Sequence, residues 1–169
     1  MLRRFLLWSF GAVVMTTLLG CASSGPPPPS SPSPLLGKPL PALRGLTLSG
    51  ERIAPESLQD RVVVIKFFAK YCEPCTRTLP AAQRIHQRRG DVLFIGVSED
   101  ERASEAEEIA RLHGLTFPVV HDRSNVLAGK FRVNELPVTF VSDRHGKIHH
   151  VLGPDQGEDA LERVLDSLQ

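Results

Sequence analysis

Only three cysteines, Cys21, Cys72 and Cys75, occur in the 169 residues, too few for a disulfide-stapled scaffold. Cys72 and Cys75 stand three apart, and a bridge between them closes too short a loop to hold a domain together. Imbalance of charge is also missing. The formal net charge is +1, and beyond Arg3 and Arg4, the only charged residues before Cys21, 18 basic residues face 19 acidic ones. That leaves no nucleic-acid footprint. No internal repeat and no second compositional block are visible, so one domain with one core is expected. A ligand cluster is lacking too. His86, His113, His121, His145, His149 and His150 stand at no spacing that forms a compact Cys/His site, and each reads as a surface or partly buried structural residue. A copper- or zinc-binding module built on Cys72 and Cys75 is the alternative that this spacing disfavours; no metal and no cofactor is expected.

The apolar stretch from Phe5 to Leu19, broken by Ser9, Gly11, Thr16 and Thr17 and preceded by Arg3 and Arg4, has the layout of an export signal. It is shorter than the roughly 20 apolar residues of a comfortable membrane span. Its end, Leu18-Leu19-Gly20-Cys21, resembles the lipobox read by lipoprotein signal peptidase, though Leu19 is bulky for that pattern. The resemblance implies a signal peptide over residues 1–20, a lipidated Cys21 whose thiol is consumed as a thioether, and an extracytoplasmic, membrane-anchored protein. Ala22 after the cysteine resembles the sorting signal for the outer membrane of Gram-negative cells. Residues 21–41 then form a Pro/Ser-rich tether, with Pro26 to Pro29 consecutive and Pro32, Pro34, Pro39 and Pro41 following. Such a segment is extended, at about 3.1 Å per residue where stiff, and gives a folded head reach from the lipid surface.

Residues 42–169 carry the periodicities of a folded domain. Arg44 to Ile53 reads as a hairpin around Ser49 and Gly50, Val62 to Phe68 as a buried strand interrupted by Lys66, and Cys75 to Arg88 as a helix containing Pro80. Val92 to Val97 is a second buried strand. A helix follows, capped by Ser98 with Glu101, with Ala106, Ile109, Ala110 and Leu112 inward. The acidic run Glu99 to Glu108 fits the wet side of that helix. Phe117 to His121 is a third strand and Ser124 to Phe131 a short helix. Val138 to Ser142 and Lys147 to Leu152 make a hairpin, and Asp155 with Glu158 caps a last helix whose stripe is Leu161, Val164, Leu165 and Leu168. Alternation of strands and helices implies a sheet that is parallel in its first half, with the closing hairpin as antiparallel edge strands: a three-layer α/β/α sandwich.

With Cys21 consumed, the remaining thiols are a Cys-x-x-Cys pair between a buried strand and a helix. Unpaired N–H groups and the positive end of the helix dipole favour thiolate there. Cys72 is therefore the expected exposed nucleophile and Cys75, farther into the helix, the buried resolving thiol. Pro74 suits the first helical turn.

The run VVVIKFFAKYCEPCTRTLP, residues 62–80, resembles the active-site strand and helix of the thioredoxin fold. Its Cys-Glu-Pro-Cys form is similar to the TlpA/ResA branch of exported thioredoxin-like proteins, and the similarity continues through FIGVSED, FPVVHDRSNVLAGKFRVNELPVTFV and HGKI. The resemblance implies a thioredoxin-like α/β fold with a mixed central sheet and thiol-disulfide oxidoreductase activity. It also implies a cis Pro137 against the dithiol, Leu136 offering backbone hydrogen bonds to substrate, and a contact surface of Tyr71, Glu73, Pro74, Leu136 and Pro137. Relatives of this kind are commonly reductants, some serving cytochrome c maturation; the implied partners are disulfide-bearing exported proteins and a membrane thiol electron donor. Ala69 stands where a peroxidase would carry threonine, three residues before Cys72. Three departures stand out: Tyr71 replaces the usual tryptophan, Lys66 occupies the place of thioredoxin's buried acid, and Thr78 or Leu79 replaces the helix glutamate. Water or Glu73 must then accept the Cys75 proton.

An ammonium at Lys66 near the pair stabilises thiolate and raises the reduction potential; the alternative is that Lys66 snorkels to solvent without effect. In a Lys66→Met variant, ultraviolet titration of the Cys72 thiolate is expected to give a raised apparent pKa, and an unchanged value ends the idea.

Overall fold

The computed structural model describes residues 33–168. The expected signal peptide over residues 1–20, Cys21 and the expected tether up to residue 32 lie outside the described residues.

The sheet is organised around β3, Val62–Phe68, whose seven residues are all buried. Valine, isoleucine and phenylalanine suit a strand covered on both faces. On one side β4, Val92–Ser98, runs parallel to β3 in register Val62↔Val92, and β5, Val119–His121, runs parallel to β4. On the other side β6, Val138–Ser142, pairs antiparallel with β3, and β7, Ile148–Leu152, lies outside it. The five-stranded order is β5-β4-β3-β6-β7. The expectation that both hairpin strands lie at the edge is corrected: β6 sits beside the central strand, and its five buried residues fit that place. Ahead of the sheet, β1 (Gly45–Leu46) and β2 (Arg52–Ile53) form the small hairpin, followed by a 3-10 turn, Pro55–Leu58.

The period of two in β3 divides the core. Val62, Val64 and Phe68 share one cluster with Cys75, Leu79, Ala82 and Ile85 of α1 (Glu73–Arg88), Ile109 of α2 (Ala103–Leu112) and Leu161, Val164 and Leu165 of α4 (Glu158–Asp166). Val63, Ile65 and Phe67 share the other with Leu127 and Ala128 of α3 (Val126–Lys130), Phe131, Phe140 and Leu43. Helices thus cover both faces, the three-layer arrangement of the thioredoxin fold. Gly96 serves this packing directly, since a Cβ there would lie 2.9 Å from the Phe68 ring and 3.1 Å from the Phe117 ring.

Several local expectations change. Ser98 ends β4, and α2 begins later, where the Glu105 carboxylate accepts from the Arg102 N–H at 3.3 Å. Leu112 is 74% exposed rather than inward, because α2 turns only Ala106 and Ile109 fully into the core. Asn125 holds a left-handed φ of 52° and so delays α3 to Val126. Pro118 has no N–H for a ladder, and β5 starts after it. Asp155 does not cap α4; Gly157 stands at that position without a side-chain bond. Glu158 instead receives Arg84 Nε at 3.1 Å and Arg88 Nη2 at 2.9 Å, which tie α4 to α1. Residues 37–40, read as the end of the tether, pair with the start of β7: Gly37 N–H donates to the Ile148 carbonyl at 2.8 Å, Ile148 N–H to that of Lys38 at 2.9 Å and Leu40 N–H to that of Gly146 at 2.7 Å. Pro39 and Pro41 cost this pairing nothing, because Gly37 and Leu40 supply the donors.

Lys66 is the one charge in β3. It is 6% exposed, and its Nζ donates to Thr139 Oγ1 at 3.3 Å. Burial lowers its pKa from 10.5 to about 8. Between those two values the unfolded chain binds more protons than the folded one, so stability rises with pH across that window; below it the folded state carries the full cost of a buried ammonium, on the order of 3 kcal/mol. A Lys66→Met variant is expected to be more stable than wild type in urea titrations near pH 7, with the advantage shrinking toward about pH 10. An advantage that stays constant with pH contradicts this assignment.

Candidate active site

Cys72 leaves β3 by a short loop and stops the chain at the amino end of α1. Its backbone is extended (φ −86°, ψ 98°), and its Sγ accepts the Cys75 N–H at 3.2 Å. Sulfur is a weak acceptor when neutral and a strong one as an anion, so this bond and the dipole of a 16-residue helix both favour thiolate. The helix starts at Glu73, two residues earlier than the expected Cys75. Pro74 fits its first turn because a proline there forfeits no intrahelical bond, and Cys75 lies within that turn. The two sulfurs are joined in a disulfide, with Cα atoms 5.3 Å apart. Cys75 is fully buried as expected, but Cys72, expected as the exposed thiol, is itself buried and keeps only a 7% exposed edge.

That exposed edge opens into a hollow of about 390 Å³ lined by Tyr71, Cys72, Glu73, Pro74, Glu99 and the segment Val133–Leu136. The Leu136–Pro137 peptide is cis. Val138 pairs with Phe67 in the β3–β6 register, which brings Pro137 level with the end of β3, where the cysteine loop departs. Cys72 and Leu136, 64 positions apart in sequence, therefore bound one hollow. Tyr71 is largely exposed and forms a side wall. Its hydroxyl pKa is raised by burial, then by the nearby Glu99 and Asp100 carboxylates. Glu73 lies on the rim, paired with Arg77 one turn on.

Lys66 is buried, so the snorkelling alternative is corrected: α1 and α4 cover that face of β3. Lys66, Thr78, Ala82 and Thr139 line one small internal gap. Thr78 Oγ1 lies 3.3 Å from the carbonyls of Pro74 and Cys75 and donates to the backbone there. Neither side chain is an acid, and Glu73, the protein group expected to take the Cys75 proton, points outward to Arg77.

Sequence reasoning missed Glu99 and Asp100. Both precede α2, so the acidic run is not one wet helix face; only its later members are. Asp100 is buried, accepting the Lys70 N–H and the Ser98 hydroxyl, both at 2.8 Å, and it thereby anchors the loop that carries Tyr71 and Cys72. Its carbonyl accepts from His121 Nε2 at 2.7 Å when that nitrogen is protonated. Glu99 is half-buried against the hollow, and burial followed by the Asp122 carboxylate lifts its pKa to about 7. Their position directly after a buried strand, before any helix cap, was the available signal. Among the described residues, no group of three or more His, Cys, Asp or Glu is arranged to hold a metal ion; His86, for one, packs between Phe94 and Phe117.

Comparison with known proteins agrees with this geometry. Residues 36–151 match the AhpC/TSA family. The thiol-disulfide oxidoreductase ResA of Geobacillus thermodenitrificans is 30% identical over 125 residues, covering 72% of this chain and 71% of the relative. The thioredoxin-like protein YneN of Bacillus subtilis is 27% identical, covering 71% and 72%. Among solved structures, a DsbF homologue from Corynebacterium diphtheriae superposes with a TM-score of 0.72 at 23% identity, covering 78% of this chain and 87% of that one. A secreted Mycobacterium tuberculosis disulfide oxidoreductase gives 0.69 at 19%, covering 75% and 96%. The fold, the paired sulfurs at a helix amino end and these relatives converge: the chain belongs to the AhpC/TSA family of thioredoxin-like proteins and is a thiol-disulfide oxidoreductase of the ResA/TlpA kind.

Proposed function

We propose that this oxidoreductase reduces disulfides in exported proteins through Cys72 and Cys75. The Cys72 thiolate attacks a client sulfur, the client S–S bond breaks, and one client thiolate leaves as the mixed disulfide forms. Cys75, losing its proton, then attacks Cys72 Sγ, releasing the second client thiolate and closing the Cys72–Cys75 disulfide. A thiol donor returns two electrons and two protons to reopen it. The observation that carries this reading is the Cys72 sulfur at the amino end of α1, bonded by the Cys75 N–H, in a residue that lines the same hollow as Leu136, the residue before the cis proline. Tyr71, Glu73, Pro74 and Leu136 bound the approach, and the client's strand lies along the Leu136 backbone.

The export layout of residues 1–20 and the lipobox-like end at Cys21 support an extracytoplasmic site of action with a lipid anchor, the membrane then also holding the electron donor. Apocytochrome c is the client class that the ResA/TlpA resemblance favours. Reduction rather than oxidation rests on the same resemblance and on the absence of a Pro-His dipeptide between the cysteines, where Glu73 and Pro74 stand.

The whole chain is expected to reduce insulin disulfides with dithiothreitol as electron source. Cys72→Ala is expected to abolish turnover, and Cys75→Ala to accumulate mixed disulfides with clients on non-reducing gels. Turnover that survives Cys72→Ala excludes the mechanism. In a host that exports the protein, Cys21→Ser is expected to move it from the membrane fraction to the soluble fraction; unchanged membrane retention contradicts the lipid anchor.

A further inference from the structure

Glu99 differs from the other acids around the dithiol. It follows β4 directly, and its N–H donates to the Phe68 carbonyl at 2.9 Å, which pins it where β3 gives way to the cysteine loop. It borders both the hollow that exposes Cys72 and a neighbouring hollow of about 580 Å³ that reaches Lys70, Asp100 and Arg123. Its Oε1 is buried without a hydrogen-bond partner among the described residues. A buried carboxylate oxygen with no donor is costly as an anion, and protonation relieves that cost.

The surroundings agree. Lys70 Nζ is committed to Glu108 at 2.6 Å, and Arg77 to Glu73. Asp122, at the end of β5, accepts the Ala128 N–H at 2.8 Å and faces Glu99 as a like charge. Asp100 and Tyr71 add no positive charge, Glu135 also lines the Cys72 hollow, and the larger hollow's cations are the ion-paired Lys70 and Arg123. A carboxyl so placed tends to hold a proton toward neutral pH, and it lines the same hollow as the nucleophile. The acid that lines the gap beside Lys66 and Thr78 is Glu158, whose ion pairs with Arg84 and Arg88 hold it ionised well below neutral pH, so it carries no proton to give.

We propose that Glu99 is the proton donor to the client thiolate expelled when Cys72 attacks, a role that rests on the dithiol mechanism above. As the Cys72 lone pair forms the mixed disulfide, the client S–S electrons go to the departing sulfur. The Glu99 O–H bond breaks, its proton completes a neutral client thiol, and water reprotonates the carboxylate afterwards. An alkyl thiolate, with a conjugate pKa of about 8.5, is a poorer leaving group than the neutral thiol. Protonation removes that penalty.

Single-turnover reduction of two uncharged disulfides by the pre-reduced whole chain tests this. Hydroxyethyl disulfide expels an alkyl thiolate that needs the proton, whereas 2,2′-dithiodipyridine expels a weakly basic heteroaryl thiolate that does not. Glu99→Gln is expected to slow the first by about a hundredfold or more and to leave the second at the wild-type rate, which also reports that the variant is folded. In wild type, the alkyl-to-heteroaryl rate ratio is expected to fall above about pH 7, and in the variant to be flat. Equal slowing with both probes, or no slowing with either, overturns the proposal while leaving the dithiol mechanism standing. A wild-type chain inert toward both probes overturns the dithiol mechanism itself, and the proposal with it.

Discussion

One backbone N–H, that of Cys75, aimed at the sulfur of Cys72 across the first turn of α1, is the interaction on which the chemistry of this molecule depends. It exists because a seven-residue buried strand delivers the chain to the top of the sheet and a helix begins at once on the other side of a short loop. Cys72 occupies the position where a serine or aspartate would cap an ordinary helix. A sulfur there meets the same unpaired donors, and as a thiolate it satisfies them better than as a thiol.

The rest of the fold holds that turn in place. Asp100, buried at the end of β4, accepts from the Lys70 backbone and the Ser98 hydroxyl, so the loop before the cysteines is tied to the neighbouring strand. The cis Leu136–Pro137 peptide enters β6, and the pairing of β6 with β3 brings it alongside the same turn. Arg84 and Arg88 clamp the outer face of α1 to Glu158 at the head of α4. These exposed ion pairs contribute little energy each, but with Leu161, Val164 and Leu165 packed below they set where α1 lies.

Lys66 and Glu99 are two polar groups in unfavourable places, and both stand close to the reacting pair in the topology. Burial pushes the lysine toward the neutral amine and the glutamate toward the neutral acid. Groups whose pKa values are driven toward neutrality cluster where protons must move. Placing such groups in the central strand and at the end of its neighbour β4 costs stability, a cost that the apolar faces of β3 and α1 offset.

Much of this was legible in residue order. The strand Val62 to Phe68, the hairpin from Val138 to Leu152, the stripe of α4 and the Cys-x-x-Cys pair follow from local periodicity and chemistry, because a period of two or 3.6 and a helix amino end are properties of neighbours in sequence. Helix starts were less legible: Arg102 rather than Ser98 precedes α2, and Gly157 rather than Asp155 precedes α4, since a cap depends on backbone angles that the surrounding packing imposes. What only the tertiary structure decided are relations between distant segments. These include β6 lying beside β3 instead of at the edge, residues 37–40 docking on β7, Lys66 buried under α1 and α4 instead of reaching water, and Glu99 half-buried at the hollow that Cys72 lines instead of on a wet helix face. The physical reason is the same in each case: strand order, and the desolvation of a charge, are set by which surfaces cover one another, and no spacing along the chain encodes that.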